Sequence, residues 1–257
     1  MQAIRNMFGG AGGERVPMKI NPKHFILKTD VTTVPSGHAS FVAATGCFWG
    51  SEKMFWRVPG VRATSVGYIA GKIEHPTYEE ICGGRTGHAE CVRVIYDPKI
   101  VSFADLLAMH WTSHDPTQGD GQGNDRGTQY RSGLYCSTDE QLKMARDSRE
   151  ADHDRDQGAR GYFLLRRGLP SAVLGCVCLS NLFRDVLTTP LFSRAAKPGS
   201  RKYCSAEPTG VPMPTAWLKA NGGKFGPGFW AKYGPKPGCT IGVPDAQVSL
   251  DAALEAK

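Results

Sequence analysis

The chain has 257 residues, 40% apolar and 9% aromatic, enough to bury a sizeable core in one large domain or one domain with a tail. No run approaches the roughly 18 consecutive apolar residues of a membrane-spanning helix, and the opening MQAIRNMFGGAGGER lacks the apolar centre of a secretory signal. The formal net charge is +7, but residues 1–151 carry 17 Lys+Arg against 16 Asp+Glu and the remainder 14 against 8, so the basicity belongs to the later part. No aromatics interleave with those basic residues, which argues against a nucleic-acid groove and for ordinary solvated surface.

Residues 1–36 are rich in Gly, Pro and polar residues and read as a flexible arm. HASFVAATG, from His38, is a short strand, and CFWGSEKMFWRVPG is a helix stopped at Pro59-Gly60. VRATSVGYIAG alternates as a strand does. AECVRVIYDP is a further strand, ended by Asp97-Pro98. FADLLAMHWTSH has helical spacing at Leu106, Leu107, His110 and Trp111; a glycine-rich loop, DPTQGDGQGNDRGTQYRSG, leads into the strand GLYCS. TDEQLKMARDSREA then reads as a helix capped by Thr138. Strands mixed with helices give an α/β fold, a two-layer sandwich. After Ala151 neither period persists, and the last part, YCSAEPTGVPMPTAWLKANGGKFGPGFWAKYGPKPGCTIGVP, reads as a long coil-rich tail.

Eight cysteines stand at 47, 82, 91, 136, 176, 178, 204 and 239, none in the C-x2-C spacing of a zinc site. The chain is placed by default in the cytosol, where thiols stay reduced, so one or two reactive thiols are expected rather than a disulfide framework. A first stretch poor in acid leaves an organelle signal as the open alternative. Cys47 follows a strand and a glycine and opens a helix, where the dipole and unsatisfied N–H groups favour a thiolate. The bland alternative is a core cysteine; the aromatics Phe48 and Trp49 beside glycines favour a pocket floor. Glu90 begins a strand, where an acid is usually solvated, yet a carboxyl of raised pKa could donate a proton opposite the thiol. Tyr78 and Tyr130, in PTYEE and GTQYRS, could each donate to a polar substrate atom or simply be half-buried. His110 and His114 have the spacing of a helical metal pair, but no helical third ligand accompanies them, and no metal is expected.

Gly46-Cys47-Phe48-Trp49-Gly50, continued by HPTYEEICGGRTGHAECVRVIYDP and HDPTQGDGQGNDRGTQYRSGLY, closely resembles the A-type methionine sulfoxide reductases over residues 38–150. The resemblance implies a mixed β-sheet flanked by helices and reduction of methionine S-sulfoxide, free or in proteins. Cys47 would attack the sulfoxide sulfur, Glu90 would protonate its oxygen, and Tyr78 and Tyr130 would hydrogen-bond it. Phe48 and Trp49 would enclose the methyl group, and Asp125 would order the site. A tail thiol would then resolve the Cys47 sulfenic acid, with Cys204 in KPGSRKYCS the first choice and Cys239 the reserve; Cys82, Cys91 and Cys136 are read as structural, within the sheet region. Thioredoxin is the implied external reductant, with no cofactor, and a monomer is expected.

The family's next motifs, an ITTEI-like strand and FYxAEDYHQQYL, are missing. Asp152–Asp156, followed by Gln157, can be encoded so that reading one base further along gives Ile-Thr-Thr-Glu-Ile, and Phe163–Leu174 so that the same shifted frame gives SFYAEDYHQQYL. The segments are therefore 1–36, an arm; 37–151, the catalytic domain; 152–195, atypical and read as out of frame; and 196–257, the tail. A genuine insertion is the alternative for 152–195. If that segment is out of frame, the sheet should lack a strand, the segment should be irregular, and an inactive or impaired isoform becomes the rival function. A thiol peroxidase is the other rival.

Overall fold

A computed structural model describes residues 21–73, 75–76, 78–153, 164–167, 213–234 and 244–256. The first four long elements are β1 (Ala39–Thr45), α1 (Phe48–Trp56), β2 (Val61–Ile69) and, after a short α2 (Tyr78–Cys82), β3 (Ala89–Tyr96). Next come α3 (Phe103–Ser113), a small hairpin of β4 (Gly121–Gln122) and β5 (Asp125–Arg126), a 3-10 turn at Thr128–Tyr130, and β6 (Ser132–Cys136). The chain continues with α4 (Asp139–His153), β7 (Leu164–Arg167), α5 (Thr215–Ala220), α6 (Pro227–Tyr233) and α7 (Leu250–Glu255). The main sheet runs β2-β3-β1-β6-β7. Its first four strands are antiparallel, with Phe41 opposite Val94 on one side and Cys136 on the other. Only β6 and β7 are parallel, which requires a crossover, and α4 supplies it. The sheet is therefore mixed and flanked by helices, as the α/β reading expects.

The central position of β1 explains its composition. Phe41 and Ala43 join the large core cluster, while Val42 and Ala44 point to a second cluster with Ile69, Ala89 and Tyr135. A strand covered on both faces reads as a continuous apolar run rather than an alternating one. On the first face α1 and α3 bring Phe55, Leu106, Leu107 and Trp111, all essentially buried. Each such side chain contributes roughly 1.5–3 kcal/mol when removed from water. Helix α3 starts on a capping box: Asp105 N–H donates to Ser102 Oγ at 3.0 Å while the Asp105 carboxylate accepts from Ser102. Thr138 caps α4 by accepting from Gln141 N–H at 3.2 Å, as its sequence suggests.

Two expectations need correction. The sheet edge is filled: Leu164–Arg167 pair with Gly133–Cys136, so the atypical segment does contribute a strand, and the rest of 152–195 lies outside the described residues. A short strand needs only extended backbone and a parallel neighbour at the right distance, which sequence periodicity over four residues cannot announce. Nor is the whole of 1–36 a loose arm. His24 and Val31 are buried, a bridge joins Lys23 to Asp30, and Val31 packs on Ala63 and Ile95 of the sheet.

Among the described residues the tail carries three short helices, and they dock by polar clamps as well as apolar contact. Met213, Leu218, Phe225, Phe229 and Ala253 enter the main core cluster. The N–H groups of Lys224 and Phe225 both donate to the buried Asp105 carboxylate, at 2.9 and 3.2 Å. Gln247 Nε2 lies within 2.8 Å of the carbonyls of Val58 and Val61, and Trp56 Nε1 donates to Asp245 O at 2.8 Å. The tail thus closes on the C-terminal end of α1 and the N-terminal end of α3.

Candidate active site

The turn between β1 and α1 sets the thiol. Gly46 has φ of +94°, a left-handed backbone that a side chain would strain, and a Cβ there would lie 2.8 Å from Cβ of Gln122. Gln122 fixes that approach by gripping one backbone residue twice: its Oε1 accepts from Asp115 N–H at 3.1 Å and its Nε2 donates to Asp115 O at 2.8 Å. The hairpin that carries Asp125 is thereby seated against the turn that carries Cys47. Cys47 occupies the N-cap position of α1 and is exposed to solvent. Ser51 Oγ donates to Cys47 O at 3.1 Å and is itself hydrogen-bonded to Thr45 Oγ1, which stiffens the first turn.

Glu90 faces this turn from β3. It is buried, and Oε2 accepts from the Phe48 N–H at 3.1 Å. Burial pushes its pKa up to about 7, with the Asp125 charge adding to the rise and the Phe48 N–H opposing it. A carboxyl in this state holds its proton for much of the time near neutrality and can give it up. Asp125 is also raised by burial. Tyr130, on the 3-10 turn, is pushed up to about 12 by burial first and then by Glu90, Asp125 and Cys47, so those three groups lie within its electrostatic reach. Its hydroxyl stays protonated at any physiological pH and is available as a donor. Four of the expected residues, Cys47, Glu90, Asp125 and Tyr130, therefore converge from four separate elements. Phe48 is 6% exposed, its ring centred 5.5 Å from that of Tyr68.

The remaining expectations fall in several places. Tyr78 opens α2 and Trp49 lies in α1, but their side chains fall outside the described residues. Cys204 and Cys239 also lie outside the described residues. Cys91 and Cys136 are buried in β3 and β6; the Cys91 thiol donates to Gly67 O at 3.2 Å, and burial pushes the Cys136 thiol up to about 12. Cys82 departs from the reading that placed it with them in the sheet region. It ends the short helix α2 and is exposed, because the chain leaves the sheet between β2 and β3 at this point. His110 and His114 are both buried and held neutral by burial. His114 Nδ1 lies 2.9 Å from the His110 carbonyl, which can only accept, so Nδ1 carries the proton and Nε2 accepts from Ser132 Oγ at 2.6 Å. Among the described residues no cluster of three potential ligands could hold a metal ion.

Residues 39–159 match the family model for peptide methionine sulfoxide reductase. The chain is 53% identical over 140 residues to peptide methionine sulfoxide reductase MsrA of Salinispora tropica, covering 54% of this chain and 64% of that protein. It is 49% identical over 138 residues to the MsrA of Escherichia fergusonii, covering 54% of this chain and 65% of the relative. Among solved structures, methionine sulfoxide reductase A of Corynebacterium diphtheriae is similar at 37% identity and a TM-score of 0.58, covering 69% of this chain and 88% of that one. The chain belongs to the peptide methionine sulfoxide reductase A family. The matches span just under two thirds of the length of the two curated relatives, and the family model stops at residue 159, inside the atypical segment.

Three residues in or behind the elements that carry the site escaped the sequence reading. Gln122 sits in a glycine-rich loop whose composition says only that it turns. Tyr68 lies in a strand that reads as ordinary sheet. Glu52, one helical turn beyond Phe48, is fully buried and raised to about 8 by burial; it accepts from Thr64 Oγ1 at 3.0 Å, and Thr64 Oγ1 in turn lies 2.8 Å from His24 Nε2. The one available signal was a carboxylate in the middle of SEKMFW, on a helix face otherwise apolar.

Proposed function

We propose that the protein reduces methionine S-sulfoxide, free or within proteins, to methionine. The Cys47 thiolate attacks the sulfoxide sulfur, and Glu90 passes a proton to the departing oxygen. The sulfoxide S–O bond and the new Sγ–S bond break as an Sγ–O bond forms, so that methionine leaves and the oxygen passes to Cys47 as a sulfenic acid. Tyr130 and Tyr78 steady the oxygen by hydrogen bonds; Asp125 orders the site; Phe48 and Trp49 enclose the methyl group. A tail thiol, Cys204 with Cys239 in reserve, attacks the sulfenic sulfur, releases water and forms a disulfide. Thioredoxin, as external dithiol, takes over that disulfide and is itself oxidised; no bound cofactor takes part. We further propose a monomeric cytoplasmic enzyme, binding neither nucleic acid nor membrane, with residues 37–151 as its catalytic domain. No helix among the described residues is long and apolar enough to cross a membrane.

One observation carries the proposal: the Phe48 N–H, one residue past Cys47, donates to a buried Glu90 carboxyl that holds its proton up to about pH 7. A thiol and a proton donor joined in this way suit breaking a bond to oxygen. The impaired isoform is not favoured, because Cys47, Tyr78, Glu90, Asp125 and Tyr130 all lie inside the matched stretch 39–159. The test is reduction of a peptide carrying methionine S-sulfoxide by the purified protein, followed by mass spectrometry for loss of one oxygen. The wild type should act on the S but not the R epimer, and Cys47→Ser should be inactive, since a hydroxyl is a far poorer nucleophile at neutral pH. Turnover of hydroperoxides without turnover of the sulfoxide would replace this reading with the peroxidase.

A further inference from the structure

In β2, Ala63 through Gly67 and Ile69 are buried, and Tyr68 breaks that run by remaining partly exposed. The ring is nonetheless built into the structure: it packs against the main core cluster, which includes Phe48, and the two ring planes meet at 54°. Across the β2–β3 ladder Tyr68 stands directly opposite Glu90. Residues paired this way share one face of the sheet, their Cβ atoms about 4.5–5.5 Å apart. Tyr68 therefore touches the aromatic residue that follows the nucleophile, shares a sheet face with the proton donor, and shows part of its surface to solvent.

Phe48 cannot set the width of an apolar pocket by itself. It starts a helix, its N–H is held by Glu90, and its ring needs a backing surface to keep one rotamer; Tyr68 supplies an aromatic part of that surface, its ring centred 5.5 Å away. We propose that Tyr68 is a specificity-determining residue, whose ring backs Phe48 and fixes the depth of the pocket for the substrate's S-alkyl group so that methyl fits and larger groups do not. The inference rests on the sulfoxide reduction proposed above. Pockets of this kind discriminate one methylene by roughly 10–200-fold in kcat/KM. Truncating the backing ring lets Phe48 recede and returns much of that discrimination.

The experiment compares kcat/KM for methionine S-sulfoxide and for ethionine S-sulfoxide, its S-ethyl homologue, in wild type, Tyr68→Phe and Tyr68→Leu. Wild type should prefer methyl by at least about tenfold. Tyr68→Phe, which keeps the ring, should keep the preference. Tyr68→Leu should lose most of it by gaining activity on the ethyl substrate, a gain that mere loss of stability could not produce. Should Tyr68→Leu fold poorly, Tyr68→Met supplies the same loss of the ring with a flexible apolar filler. An unchanged methyl-to-ethyl ratio in the truncated variants, or a lost preference in Tyr68→Phe, overturns the inference. A wild type inactive on both sulfoxides overturns the proposed function instead.

Discussion

Two regions of this molecule solve the same packing problem by different means. The sheet and its two covering helices, residues 39–136, bury long apolar runs, so that Phe41, Phe55, Leu106 and Leu134 are almost wholly removed from water. The tail, residues 213–234 and 244–256, has helices of only six or seven residues, too short to be stable alone. It holds on by a few apolar anchors, by the N–H groups of Lys224 and Phe225 on the Asp105 carboxylate, and by Gln247 on the carbonyls of Val58 and Val61. In the first region stability and site geometry have one source. In the second, attachment depends on single polar residues, which one substitution can release while leaving the thiol and its acid in place.

The sharpest break between the regions should come from recycling. Cys204→Ser is expected to leave a single turnover intact but to stop thioredoxin-driven cycling altogether, since the sulfenic acid loses its partner. Measuring methionine formed per enzyme, with and without the thioredoxin system, decides this. If Cys239→Ser gives that phenotype and Cys204→Ser does not, the resolving role moves to Cys239.

Within the first region, Glu90→Gln keeps the acceptor for the Phe48 N–H and removes only the proton. The sulfenic-acid-forming step should slow by roughly 10²–10⁴-fold in rapid-quench single turnovers, with binding little changed. The wild-type rate should fall as pH rises through about 7, where the raised Glu90 carboxyl deprotonates, and that limb should be absent in the variant. The stability sign follows from the same shift. Between the ordinary carboxyl range and about pH 7 the folded protein holds a proton that the unfolded chain has lost, so Glu90's contribution to stability is greatest at low pH and declines as pH rises to 7. A wild-type limb that survives in Glu90→Gln would assign the proton to another group.

Asp105→Ala tests how the tail is held. It leaves the N–H groups of Lys224 and Phe225 without their acceptor and removes half of the capping box. The loss should be on the order of 2–4 kcal/mol, read from the midpoint of chemical unfolding. Proteolysis should first cut between residues 213 and 234, while alkylation of Cys47 stays near the wild-type rate. Simultaneous loss of Cys47 reactivity would show that the two regions are one cooperative unit. The smallest effect belongs to the pair between Lys53 and Asp245 at 2.5 Å. Asp245 is 63% exposed, so Asp245→Asn should change stability by no more than about 0–1 kcal/mol.

Much of the first region was legible without coordinates. The seven main strands and helices from β1 to α4 lie where apolar period, Pro59-Gly60, Asp97-Pro98 and Thr138 place them, because those signals are local. The thiol was legible for the same reason: a strand, a glycine and a cysteine opening a helix are contiguous in GCFWG. The acid was legible as a candidate only. Its raised pKa comes from burial and from Asp125, which lies 35 positions further along, and neither leaves a mark on the residues beside Glu90. The short elements were illegible. Tyr78–Cys82, the β4–β5 hairpin, Leu164–Arg167 and the tail helices are too brief to show a period, and their neighbours in space, not their composition, select their conformation.

The sequence by itself determined the order of the main elements, the position of Cys47 at a helix start and the family. All of these are written in runs of five to fifteen neighbouring residues, the range over which backbone period, capping and turn chemistry act. Only the tertiary structure decided that Gln122 braces Gly46, that His24 reaches Glu52 through Thr64, that Tyr68 lies against Phe48 and opposite Glu90, and that Asp105 collects the tail's N–H groups. Each of these joins residues separated by 12 to 120 positions. Hydrogen bonds and ring contacts fall off within a few ångströms, so which of many distant partners a side chain meets is settled by how the sheet and helices pack.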